Sequence, residues 1–301
     1  MDSAFGLRYI SSVLKKHGHA VELIFFKYST AYPTLNALEI YHSPGYHFTP
    51  INRELETLVD TIKDISPALI GISLASPFFK IASLITHKIH EKLRLPVIWG
   101  GIHPTLCPEE CLDYTDFVCV GEGEYAMLEL VDRLEQGKDV SNVRNIWLKK
   151  NGKIIRNKLR PLITNLDELP FPDYEPENKH YIGFKPETEL PGVEFGEYTY
   201  HMMTSRGCPF SCTFCCNCYL RKIFKGYGPY VRRRSPKSVV DEIEYMVKKF
   251  PYIRWVDFHD DVFTFDKKWL IEFREEYIKR LGLPCLLYTS DAADEGLGVD
   301  L

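Results

Sequence analysis

Apolar positions return at helical spacing from Gly6 to His17, where Leu7, Ile10 and Leu14 share a face and Lys15 and Lys16 close the segment. Gly18 stops that pattern, and Val21 to Phe26 follows as a short apolar run of strand type. Further along, helical patterns at Ile51 to Ile65, Phe79 to Leu93 and Glu124 to Leu134 are interleaved with apolar runs at Leu69 to Leu74, Pro96 to Gly100 and Phe117 to Val120. Runs that are apolar throughout, without alternation, suit strands covered on both faces. Strands alternating with helices predict an α/β fold with an N-terminal doubly wound parallel sheet. Asn151-Gly152, set between Ile146-Trp147-Leu148 and Ile154-Ile155, predicts a hairpin. The polar, Pro-rich stretch 170–198 reads as a linker or a surface lid.

A second strand–helix series then begins. Tyr198 to Met203 and Trp255 to His259 have the character of strands. Ser235 and Pro236 are suited to the N-cap and first position of a helix running to Lys249, with Val239, Ile243, Met246 and Val247 on its apolar face. Lys267 to Leu281 is again helical in pattern, and Gly282-Leu283-Pro284 ends it.

Three places along this pattern carry candidate chemistry. Gly100-Gly101-Ile102-His103-Pro104-Thr105 and Gly121-Glu122-Gly123-Glu124 both follow predicted strands, at the carboxyl ends where open α/β sheets take their ligands. Glycine there permits positive φ and close approach of the backbone. After the strand Tyr198 to Met203, Cys208, Cys212 and Cys215 stand at C-x-x-x-C-x-x-C spacing. Three thiolates on one loop can hold three irons of a 4Fe–4S cube and leave the fourth iron open, which is the mark of a catalytic rather than a structural site. Cys216 and Cys218 keep a second reading open, because four of these five cysteines could close a zinc tetrahedron.

The C-x-x-x-C-x-aromatic-C pattern, with Phe214 in the aromatic slot, resembles the signature of the radical S-adenosylmethionine enzymes. The two glycine loops ahead of it resemble the cobalamin-binding domain fused to many of them, in which G-G-x-H-P-T and G-E-G-E recur at these places. Asp260-Asp261-Val262-Phe263 resembles the family's F-x-D-D-x-F element. The resemblance implies a cluster on Cys208, Cys212 and Cys215, with the open iron binding S-adenosylmethionine. It further implies Phe214 near the adenine, and Asp260 and Asp261 near the cofactor's amino group. Gly100, Gly101, His103, Gly121 and Gly123 would line the cobalamin face. The implied activity is radical methyl transfer or cyclisation on a small-molecule substrate, fed by an electron donor of the flavodoxin or ferredoxin kind.

There are departures from the family pattern. The family opens with an apolar strand and an Asn-Pro-Pro-like loop, whereas this chain starts directly at Ala4-Phe5-Gly6-Leu7. The expectation is therefore a Rossmann-like cobalamin domain with its first strand missing, over residues 1–158. The D-x-H-x-x-G motif of another cobalamin group is absent, so His103 is read as a residue beside the corrin rather than a cobalt ligand. A linker is expected over 159–196, and the start of a partial (β/α) barrel, the truncated radical core, over 197–284. Residues 285–301 resemble a translated sequencing-library adapter and are set apart from fold reasoning. On this reading the polypeptide is a fragment without activity of its own.

Composition narrows the picture further. Of 301 residues 45% are hydrophobic, which suits about two globular domains, and no apolar run reaches the roughly 18 residues of a membrane span. Nine cysteines without an export signal point to a reducing compartment, the cytoplasm. The net charge of −4 becomes 0 when Asp291, Asp294, Glu295 and Asp300 of the tail are set aside, so net charge does not indicate a polyanion partner. Seven basic residues between Tyr219 and Ser238 could form a solvated loop, compensate an anionic ligand, or contact RNA beside Tyr227 and Tyr230. No RNA-binding module accompanies them, and a nucleic-acid partner is not expected. Two alternatives stand beside the main reading: a tRNA methylthiotransferase, for which Cys107, Cys111 and Cys119 would supply a second cluster, and a zinc-binding nucleic-acid module.

Overall fold

The computed structural model describes residues 4–26, 52–182 and 199–287. Ile51, residues 183–198 of the linker reading with the strand start at Tyr198, and the tail from 288 to 301 lie outside the described residues. The chain divides into two compact units. One comprises Val13–Leu159 and Glu175–Glu187, the other Met1–Ser12, Arg160–Tyr174 and Thr188–Leu301. The dividing point at Ser12 falls within the first helix, α1 (Phe5–Lys16).

The first of these units is built on a five-stranded sheet. Its strands are β2 (Ile70–Ser73), β3 (Val97–Gly100), β4 (Phe117–Cys119), β5 (Ile146–Lys150) and β6 (Lys153–Ile155), in that spatial order. The helices α2 (Asn52–Ile65), α3 (Phe79–Lys92), two short turns α4 (Ile102–Leu106) and α5 (Pro108–Cys111), and α6 (Glu124–Glu135) alternate with its first strands. β2, β3 and β4 run parallel, each returned by helix, as parallel neighbours require. Their alternate residues enter two cores on opposite faces. Val97, Trp99, Val118 and Val120 join one cluster with Ile89 of α3, whereas Ile98 and Cys119 join another with Ala126 and Leu130 of α6. That is the double covering implied by unbroken apolar runs.

Two features differ from the sequence expectation. The sheet is mixed rather than all parallel, because β5 pairs antiparallel with β4 and β6 with β5. The hairpin closes through Asn151 and Gly152 at φ 52° and 73°, the left-handed pair that a two-residue turn demands. In addition, the apolar run before Lys27 does not enter this sheet. As β1 (Leu23–Phe26) it pairs in parallel with β7 (Lys179–Ile182), a strand inside the stretch read as linker. Phe25 and Tyr181 stack there at 5.1 Å. A four-residue strand among prolines and polar residues has too little periodicity to stand out.

The other unit holds a parallel sheet ordered β12-β11-β8, with β8 at Thr199–Met202, β11 at Trp255–Phe258 and β12 at Cys285–Leu287. β12 comprises the first three residues of the segment set apart in the sequence reading. A short antiparallel pair, β9 (Ser205–Arg206) with β10 (Arg232–Arg233), follows β8. Three helices belong to this unit: α7 (Cys216–Ile223), α8 (Pro236–Lys249) and α9 (Lys267–Arg280). Ser235 caps α8 by accepting from the Ser238 amide, and Asp266 caps α9 by accepting from Trp269. Tyr200, Met202, Val256 and Phe258 pack one sheet face against Val239, Ile243 and Met246 of α8 and Phe273 of α9. The period of two then sends His201 and Asp257 to the opposite face.

The basic stretch is solvated only in part: Lys222, Lys225 and Lys237 are exposed, but the arginines just before α8 are not. Arg232 and Arg234 are buried; Arg232 donates to the Ile163 carbonyl, and Arg234 pairs with buried Glu242 at 2.6 Å. Arg233 lies 3.7 Å over the Trp269 ring, and burial lowers its pKa to about 10. Among the described residues no helix is long and apolar enough to cross a membrane.

Candidate functional site

Each unit gathers candidate residues at the carboxyl ends of its parallel strands. In the unit of β8 and β11, the cysteine loop leaves the sheet through Thr204 and Ser205. Both are held by Asp260, the second residue past the end of β11. Its carboxylate accepts from the Thr204 amide at 3.0 Å, from Thr204 Oγ1 at 2.8 Å and from Ser205 Oγ, and only 2% of the residue is exposed. Gly207 then turns the chain at φ +81°, where a Cβ would stand 2.4 Å from the Tyr230 carbonyl oxygen. Cys208 follows half-buried, Cys212 is exposed and Cys215 half-buried.

Cys215 is the N-cap of α7, and the loop reaches it through a turn in which its amide donates to the Cys212 carbonyl at 3.1 Å. Arg221, six residues on, donates to the carbonyls of Cys208 and Phe210. Asn217 ties the remaining parts together. It donates to Asp261 at 3.2 Å and toward Cys215 Sγ at 3.7 Å, and it accepts from the Tyr230 hydroxyl at 2.6 Å. Burial raises the Cys208 thiol pKa, and the nearby charge of Asp261 adds to the rise. Burial likewise raises Asp261, with the Asn217 hydrogen bond working against it. Phe214 is 88% exposed, an unusual position for a phenylalanine.

The two adjacent aspartates therefore do different things. Asp260 is enclosed and occupied by Thr204 and Ser205, whereas Asp261 faces Asn217 and the thiols. Asn217, Tyr230 and Arg221 were not singled out individually as site residues from sequence. Nothing in their local pattern marks them, because the contacts are made by tertiary folding. The donor set fits an iron–sulfur cube, since three thiols on one loop can each take a different iron. The five cysteines between Cys208 and Cys218 are not gathered as ligands of a single ion; among the described residues the one group drawn to that spacing is His201, Asp257 and His259.

In the other unit, Gly101 adopts φ +102°, and a Cβ there would stand 2.8 Å from the Leu74 carbonyl oxygen. The glycine is thus required by close packing of its loop on the end of β2. Thr105 joins the two glycine loops: its hydroxyl donates to the Gly101 carbonyl at 2.8 Å and accepts from the Gly121 amide at 3.0 Å. Gly121 has φ +90°, and Gly123 is the N-cap of α6 with no side-chain cap. Gly100 has no comparable steric demand, since a Cβ would meet Cys119 at an ordinary 3.8 Å.

His103 is buried, with Nδ1 3.0 Å from Ser76 Oγ and its ring against Phe79. Its Nε2 is buried without a hydrogen bond, and the Glu110 carboxylate at 3.9 Å is beyond hydrogen-bond reach. A polar atom orphaned at the strand ends suits a polar edge of a ligand. Ser76, after β2, is a member of this group that the sequence reading passed over, because no glycine marks its loop.

Residues 3–131 match the family model described as B12 binding domain. An uncharacterized methyltransferase of Pyrococcus horikoshii is 34% identical over 231 residues, 74% of this chain and 45% of that protein. The anaerobic magnesium-protoporphyrin IX monomethyl ester cyclase of Rubrivivax gelatinosus is 31% identical over 232 residues, 73% of this chain and 38% of that protein. The chain thus spans less than half the length of these two curated relatives. Among solved structures, the radical S-adenosylmethionine methyltransferase TsrM from Kitasatospora setae, with tryptophan and a cofactor analogue bound, superposes with a TM-score of 0.68. It is 17% identical, over 93% of this chain and 49% of its own. The cobalamin-dependent S-adenosylmethionine radical enzyme OxsB superposes with a TM-score of 0.64 at 20% identity, over 92% of this chain and 34% of its own. At such identities the two likenesses concern the fold alone.

Proposed function

The chain belongs to the cobalamin-binding-domain radical S-adenosylmethionine enzymes, and on that premise we propose that the protein carries out a radical reaction on a small-molecule substrate, methyl transfer first among the candidates. The observation that carries the reading is the loop of Cys208, Cys212 and Cys215, held by Asp260 at the carboxyl ends of two parallel strands. In this proposal the three thiolates hold a 4Fe–4S cluster, and the open iron takes S-adenosylmethionine. When bound, these groups supply a carbon radical, and cobalamin supplies the methyl group.

The chain's own residues orient and enclose. The exposed Phe214 ring offers a stacking face for an adenine. Asp261, rather than the enclosed Asp260, offers a carboxylate to an ammonium group. Asp260 acts one step back by fixing the start of the loop. In the other unit Gly100, Gly101, Gly121 and Gly123, with His103, form the face for cobalamin, and the buried His103 Nε2 provides a polar contact. Cyclisation is the second reading, favoured by the 31% identity to the magnesium-protoporphyrin cyclase. A tRNA methylthiotransferase or a zinc module finds no comparable support.

Anaerobic reconstitution tests the proposal. The expected product holds about four irons and four sulfides per chain, and replacing Cys208, Cys212 or Cys215 by alanine removes most of both. One bound zinc with no iron, or a cluster indifferent to these replacements, would overturn it.

A further inference from the structure

His201, Asp257 and His259 bring three donor atoms together at β8 and β11, next to the residues that the proposed chemistry uses but not among them. β8 and β11 are parallel neighbours, and His201 is the register partner of Asp257. Tyr200, Met202, Val256 and Phe258 turn into the core, so the intervening positions share the opposite face. His259 continues the alternation one residue past β11, where its amide still donates to the Met202 carbonyl at 2.8 Å. The pair His201 and Asp257 is half-buried, His259 is exposed, and the Phe5 ring stands 5.7 Å from the His259 ring.

The donor atoms form a nearly equilateral triangle. His201 Nδ1 lies 2.9 Å from His259 Nε2 and 3.2 Å from Asp257 Oδ2, and His259 Nε2 lies 3.0 Å from the same Oδ2. Protons cannot satisfy all three edges. A ring nitrogen carries at most one proton, and the carboxylate oxygen carries none when ionised. If both nitrogens donate to Oδ2, two N–H groups face each other across the remaining edge. If only one donates, a lone pair faces a lone pair along another. A single cation above the triangle attracts all three atoms at once. Bonds of roughly 2.0–2.2 Å from nitrogen and carboxylate oxygen to one ion place ligands at about this separation.

We propose that His201, Asp257 and His259 bind a divalent transition-metal ion of the zinc or iron(II) class. Two imidazoles and one carboxylate suit such ions and are poor ligands for calcium or magnesium, which favour oxygen. All three ligands come from one side, which leaves coordination positions for water or an oxygen donor of a substrate. The site shares no residue with the cysteine loop, so a chain that builds the cluster but binds no zinc here would overturn this proposal and leave the cluster proposal standing.

The test uses the full chain with Cys208, Cys212, Cys215, Cys216 and Cys218 all replaced by serine, so that the thiols of that stretch do not compete. Zinc is titrated against a chromophoric chelator, and cobalt(II) is added in a parallel sample for its visible absorption. The expected result is one tight zinc per chain and cobalt bands of a low-symmetry nitrogen–oxygen site. His201→Ala, Asp257→Asn and His259→Ala should each weaken zinc by more than the roughly 10–100-fold that losing an outer partner of a metal site costs. Asp257→Asn keeps the shape of the side chain and carries the comparison where an alanine variant does not fold. Zinc binding equal in the parent and in folded Asp257→Asn, or a parent without cobalt bands, would show a hydrogen-bonded trio only and overturn the proposal.

Discussion

Gly207 shows how much one position can decide. Its φ of +81° is disfavoured for any side chain, and the missing Cβ leaves room for the Tyr230 carbonyl oxygen, 2.4 Å from where that atom would stand. Because the obstruction is backbone, no rotamer change relieves it. Gly207→Ala is expected to cost about 2 kcal/mol or more, read as a lowered unfolding midpoint, together with less iron retained after reconstitution. An unchanged midpoint would mean that the loop has another route past Tyr230. Asp260 and Asp261 make the complementary point. Both were legible as carboxylates at a strand end. Which one is sealed against Thr204 and Ser205, and which faces Asn217, depends on contacts made by distant residues. The same is true of Arg232 and Arg234, whose charges look like surface charges until Ile163 and Glu242 are brought to them.

At the scale of elements, α8 and β8 are joined by a polar link inside an apolar core. Glu242, fully buried, accepts from Arg234 at 2.6 Å and from the Tyr200 hydroxyl at 2.7 Å, and Arg234 also reaches the Tyr9 hydroxyl at 3.3 Å. Burial raises the Tyr200 pKa well above its ordinary value, and the Glu242 charge reinforces the rise, so the phenol remains a donor. Removing one partner of such a group strands the other without water. Glu242→Ala should therefore destabilise this unit by about 3–5 kcal/mol, measured by chemical denaturation. Glu242→Gln, which keeps an acceptor for Tyr200, should cost less; equal losses would show that packing rather than charge governs the site. Helices and strands were largely legible in the pattern. Ser235 and Asp266 cap as side chains of their type do, and Asn151-Gly152 turns as that pair does. The local pattern marks neither β7 nor the short pair β9 and β10, nor α7, where cysteines suggest metal and basic residues a loop. The last is helical because Cys215 takes an extended N-cap conformation and Arg221 ties the far side back to the loop carbonyls.

On the scale of the whole chain, the cysteine loop and the glycine loops belong to different compact units and share no residue. Cys212→Ala should therefore abolish the cluster yet leave the absorbance change on hydroxocobalamin titration intact. Loss of both together would show that the two sites are not separable. The order of strands and helices, the two-sided burial of the first sheet, the cysteine spacing and the family were written in local pattern, because period, caps and ligand spacing act over a few residues. Partner choice was not. The pairing of β1 with β7, the antiparallel edge of the first sheet, the division of labour between Asp260 and Asp261, and the meeting of His201 with Asp257 and His259 join residues from separate elements. Such contacts are settled by which faces pack together, a balance of burial and hydrogen bonding over the assembled unit that no short window of residues contains.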